Sequence, residues 1–159
     1  MSAERAADQL RPPARVLGFD FGLRRIGVAA GQAFTGTAQA LVVVPNGANG
    51  PDWPRLEALV REWRPEALVV GRPLTLEGEE QPASQAARGF ARALARRFAL
   101  PVHDQDERLS SREAGERFVA MRRSGQKRAR DADQLDALAA QVIVEDFYAD
   151  WGKGAVRAD

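Results

Sequence analysis

The chain has 159 residues, 45% hydrophobic and 28% charged, enough for one domain with a real core and too few to expect two. It contains no cysteine, which excludes a disulfide framework, a thiolate zinc site and a cysteine nucleophile. Its 23 basic and 22 acidic residues nearly cancel, so the net charge of +1 gives no sign of a polyanionic partner.

The distribution of charge is more informative. From Gln81 to Arg130 twelve basic residues stand against five acids, and from Asp131 to Asp159 seven acids stand against Lys153 and Arg157. A basic block is compatible with nucleic acid, and equally with arginines that are simply solvated on helix faces.

The opening MSAERAADQLRPPAR is polar and broken by Pro12 and Pro13, with no apolar core of a signal peptide, and no stretch is apolar enough to span a membrane. A cytoplasmic protein is expected, with a flexible tail over residues 1–14, one domain over 15–150 and a C-terminal tail over 151–159. Arg15 to Phe21 and Ile26 to Ala30 are short apolar runs separated by a Gly-containing turn, as in a hairpin. Ala38 to Val44 supplies a third strand, closed by the loop-forming PNGANGP, so the chain begins as an antiparallel meander.

Trp53 to Trp63 then has Leu56, Leu59, Val60 and Trp63 at helical spacing, with Pro54 in the first turn and Pro65 just past the end. Ala67 to Gly71 reads as a buried central strand, Ala83 to Phe98 as a helix burying Ala87, Phe90, Ala91 and Leu94, and Val102 to Asp106 as a fifth strand. Ser110 and Glu113 form a capping box for a helix reaching about Arg123. Ser124 to Arg130 is a basic loop, and Asp133 to Tyr148 a last helix with an apolar stripe of Leu135, Leu138, Val142 and Ile143. The predicted fold class is α/β, a mixed five-stranded sheet flanked by helices, in the order βββαβαβαα.

Three acids sit where backbone elements end: Asp20 on the first strand, Glu107 just past the fifth, and Asp136 near the start of the last helix. Converging carboxylates repel, and a divalent cation resolves that repulsion. Ligation by oxygen alone favours Mg²⁺ or Mn²⁺, as one or two ions able to promote phosphodiester hydrolysis. Each acid also has an ordinary structural reading: Asp20 as a turn cap, Glu107 as a partner of Arg108 or Arg112, Asp136 as favouring its helix N-terminus. Asp104 and Asp106 compete with Glu107, and Asp131 and Asp133 with Asp136, so spacing narrows the choice only to clusters. His103 reads as a packed strand residue rather than a general base.

GFDFGLRRIGVAA at Gly18 to Ala30, VVGRP at Val69 to Pro73, DERLSS at Asp106 to Ser111 and DALAA at Asp136 to Ala140 resemble, in order and spacing, the motifs of the YqgF family of bacterial nucleases. That family is related to the RuvC-type Holliday-junction resolvases within the RNase H-like superfamily. The resemblance spans roughly Arg15 to Tyr148 and implies an RNase H-like fold in which Asp20, Glu107 and Asp136 are the catalytic, metal-binding acids. It also implies nucleic-acid contacts for Arg24 and Arg25, for Arg108 and Ser110, and for Arg122, Arg123, Lys127 and Arg128 in the basic loop as a backbone clamp. Arg72, where an apolar residue is common, and Ser110 and Ser111, in place of threonines, depart from the pattern.

The function implied is a metal-dependent endonuclease acting on structured RNA, maturing the 5′ end of pre-16S rRNA, as a monomer. The alternatives are a resolvase of branched, four-way DNA, which needs two active sites and hence a dimer, and a non-catalytic RNA-binding factor. FDFGLRRIG also resembles the phosphate-binding hairpin of actin-like and sugar-kinase-like ATPases. Those proteins need two such domains, and this sequence has no P-loop lysine motif.

Overall fold

The computed structural model describes residues 11–72, 82–106 and 131–152. Its strands are β1 (Arg15–Phe21), β2 (Arg25–Gln32), β3 (Thr37–Pro45), β4 (Ala67–Arg72) and β5 (Val102–Asp106). Its helices are α1 (Trp53–Trp63), α2 (Pro82–Phe98) and α3 (Asp131–Gly152). The helix expected from Ser110 and the basic loop after it lie outside the described residues. Among those described, no helix is long and apolar enough to cross a membrane.

The sheet order is β3-β2-β1-β4-β5. Strands β1 to β3 form the expected antiparallel meander, while β4 and β5 run parallel to β1, so the sheet is mixed and five-stranded as expected. The parallel pairs follow from the helices between the strands, since a parallel connection needs a crossover.

Side-chain alternation divides the sheet into two faces. On one, Leu17, Phe19, Ile26, Val28, Leu68 and Val70 pack with Leu56 of α1 and with Ala87, Phe90 and Leu94 of α2. Full burial of side chains such as Phe19 or Leu68 contributes roughly 1.5–3 kcal/mol each. Helix α1 begins where the Asp52 carboxylate accepts from the Arg55 amide at 3.3 Å and ends at Arg64, whose φ of 47° turns the chain out of the helix before Pro65.

The other face, with Val16, Ala29, Ala67 and Val69, is covered by α3 through Ala140, Ile143, Val144, Phe147 and Tyr148. The expected stripe is only half right. Val142 and Ile143 are buried, whereas Leu135 and Leu138 are only partly so. The small Ala137 and Ala140 are buried instead, because α3 lies on a glycine-rich strip of sheet where a Cβ on Gly18 or Gly31 would run into Val144.

Candidate active site

The alternation that turns Leu17, Phe19 and Phe21 toward α1 and α2 turns Val16, Gly18 and Asp20 toward α3. Asp20 stands near the carboxyl end of β1, the end at which open α/β sheets bind ligands. Its antiparallel partner in β2 is Gly27. A Cβ on Gly27 would collide with the backbone carbonyl of Asp136, so a residue without a side chain is what allows the start of α3 to rest directly on β2. That close approach brings Asp136 to Asp20.

The electrostatics carry the signature of two acids held together. The Asp20 carboxyl is pushed up from the ordinary 3.8 to about 6, first by burial and then by the negative charge of Asp136. Asp136 is in turn held by Arg25, whose Nε donates to its Oδ2 at 2.8 Å. With the Arg25 and Asp136 side chains 46% and 24% exposed, this pair orients the carboxylate more than it stabilises the fold.

Arg25 is presented by a tightly braced β1–β2 turn. The Gly22 amide donates to the Arg25 carbonyl at 2.9 Å, and the Asn46 amide donates to the Arg24 carbonyl at 2.9 Å. Asn46 Nδ2 also donates to the Gly22 carbonyl at 2.7 Å. One residue just past the end of β3 thus ties both sides of the turn, by its backbone amide and its side chain, leaving Arg24 exposed beside Arg25. Sequence reasoning missed Asn46, which appeared only as part of a loop-forming stretch.

The structure therefore brings together Asp20, Asp136 and Arg25, with Arg24 adjacent. Glu107, Arg108, Ser110, Arg122, Arg123, Lys127 and Arg128 lie outside the described residues; β5 is described as far as Asp106. The competing acids on β5 are nevertheless set aside by strand parity. His103 packs against Phe147 and Trp151 of α3, at centroid distances of 5.1 and 5.8 Å, and Gln105 Nε2 donates to Asp150 of α3 at 2.7 Å. Asp104 and Asp106 consequently take the α1/α2 side of the sheet, opposite Asp20, as does Arg72 by its alternation with Leu68 and Val70. His103 is only 2% exposed and is a packed strand residue.

Among the described residues no group of three or more His, Cys, Asp or Glu side chains could hold a metal ion. The pair that does meet suits a hard cation: the donors are carboxylate oxygens alone, and a divalent ion between them would offset the repulsion from Asp136 and favour the charged form of the buried Asp20.

Residues 14–150 match the family model of RuvX, described as Holliday junction resolvase. Among the relatives that bear the name "Putative pre-16S rRNA nuclease" are two from Xanthomonas. One, from Xanthomonas campestris pv. campestris strain B100, is 57% identical over 139 residues, covering 87% of this chain and 90% of the relative. The other, from Xanthomonas axonopodis pv. citri strain 306, is 54% identical over 143 residues, covering 90% and 92%. Among solved structures, Thermus thermophilus RuvC in complex with a Holliday junction substrate superposes with a TM-score of 0.56 at 21% identity, covering 91% of this chain and 99% of that one. That likeness shows the RNase H-like fold. By the match along most of its length and by its identity to these relatives, the chain belongs to the RuvX family, and its enzyme class is that of a nuclease.

Proposed function

We propose that the protein is a divalent-metal-dependent endonuclease that hydrolyses phosphodiesters in structured RNA and matures the 5′ end of pre-16S rRNA in the cytoplasm. The observation that carries the reading is the half-buried Asp20 forced against Asp136, an arrangement that costs stability until a cation neutralises it. Asp20 and Asp136 would hold one or two Mg²⁺ or Mn²⁺ ions, with Glu107, the residue after β5, as third ligand. When bound, such an ion supplies an activated water and stabilisation of the leaving oxygen, giving a 5′-phosphate and a 3′-hydroxyl. Arg25 fixes the Asp136 carboxylate, so the ligand is oriented before substrate arrives. Arg24, exposed on the braced turn, approaches the phosphate backbone, with Arg108, Ser110, Arg122, Arg123, Lys127 and Arg128 as further contacts. RNA is favoured by the name the highly identical relatives bear.

The family description and the junction bound by the RuvC relative favour a second reading, a resolvase of four-way DNA. The test incubates wild-type protein and an Asp20→Asn variant, with Mg²⁺ or Mn²⁺, against a labelled pre-16S rRNA 5′ leader and a synthetic four-way junction. Leader cleavage that the variant lacks is the expected result. Paired, symmetric junction cuts without leader cleavage would establish the resolvase, and metal-independent cleavage would remove the role of the acids.

A further inference from the structure

Three large apolar side chains are exposed among the described residues: Leu23, Phe34 and Val42. An isolated exposed hydrophobic residue is ordinary, as are Phe34 in the β2–β3 turn and Val42 on the edge strand. Leu23 differs in its setting. It is 76% exposed, yet the carbonyls of the residues on both sides of it, Gly22 and Arg24, are tied by Asn46, and the Gly22 amide is tied to Arg25. A leucine is thus held outward on a backbone with little freedom to fold it away. Along the chain it lies three positions after Asp20 and directly before Arg24 and Arg25, which are exposed on the same turn. In a nucleic acid, what lies beside the phosphates that arginines bind is the apolar face of a sugar or base, accessible when that nucleotide is unstacked.

We propose that Leu23 packs on an unpaired nucleotide next to the cleaved phosphate, directing the enzyme to RNA sites where a strand leaves a helix. This rests on the nuclease reading above and adds a determinant of where it cuts. Preorganisation is the physical advantage: the braced turn has already lost the freedom that a mobile loop would lose on binding.

The experiment compares wild type, Leu23→Ser and Leu23→Met on an RNA helix with a single-stranded 5′ leader. Leu23→Ser should keep the melting temperature and lose about tenfold in kcat/KM, in keeping with one leucine's worth of apolar contact, while Leu23→Met restores it. An abasic site at the flanking nucleotide should cost wild type the same factor and cost Leu23→Ser nothing further, since both remove one contact. In parallel, 2-aminopurine is placed at successive positions across the helix boundary and bound by the Asp20→Asn protein, with and without Leu23→Ser. A fluorescence rise at one position that depends on Leu23 supports the contact even where no RNA is cut, which separates it from failure of the nuclease reading. Equal cleavage by wild type and Leu23→Ser, losses that multiply, or a fluorescence response indifferent to Leu23 would each overturn it.

Discussion

Asp20 is a carboxylate whose folded surroundings work against its charge. Burial and Asp136 raise it to about 6, so between about pH 4 and pH 6 the native state keeps a proton that the unfolded chain has lost. Its contribution to stability is therefore fully present below pH 4 and declines as pH rises through 6. The deficit at pH 8 in metal-free protein reaches up to about 3 kcal/mol, taking each pKa unit as 1.36 kcal/mol. Asp20→Asn should accordingly be inactive but more stable than wild type at pH 8 in chelator, with the gap closing by pH 4. Millimolar Mg²⁺ should raise the melting temperature of wild type and leave the variant where it was. Thermal melts at the two pH values check this, and a variant less stable than wild type at pH 8 would contradict the strained acid pair. Asn46→Ala should cost about 1 kcal/mol in urea titration, because the Gly22 carbonyl loses its partner.

Between elements, the decisive contact is α3 on β2 at Gly27. Gly27→Ala places a methyl group against the Asp136 backbone, and moving the helix is the only relief. We expect a loss of about 1–3 kcal/mol, with cleavage falling further than stability because the helix carries Asp136 away from Asp20. Gly89→Ala is the control of opposite sign: that glycine is in α2, exposed, with nothing near a new Cβ, and should gain about 0.5–1 kcal/mol. Denaturation midpoints of the two variants settle the comparison. The same contact explains what was legible in the sequence. Strands β1 and β5 and helix α1 have the expected bounds, because local apolar runs closed by Gly, Pro or charge set them. Strand β2 runs past its apolar centre to Arg25 and Gln32, because neighbours on both sides continue its hydrogen-bond ladder. Asp20 was legible from its place at a strand end. Its partnership with Asp136 was legible only through the family resemblance and not from spacing, since it depends on how closely a helix approaches a glycine from another part of the chain.

At the scale of the molecule, the described part of the basic block is confined to α2. Arg92, Arg96 and Arg97 of α2 are exposed, but α2 packs on the sheet face opposite α3 and Asp20. Arg97 is already engaged, donating to Glu57 at 3.0 Å with its guanidinium 4.3 Å from the Trp53 ring centroid. The pull on a polyanion should therefore come from the end of the sheet where Arg24 and Arg25 stand, not from α2. Salt dependence tests this, because each lost phosphate contact lowers the slope of log affinity against log salt by about one. Arg24→Gln should flatten the slope for RNA bound to metal-free protein by about that amount, whereas Arg92→Gln and Arg96→Gln together should leave it unchanged. A slope that responds to the α2 pair and not to Arg24 would place the RNA on the far face of the sheet, away from the acids, and the catalytic geometry would have to be sought there instead.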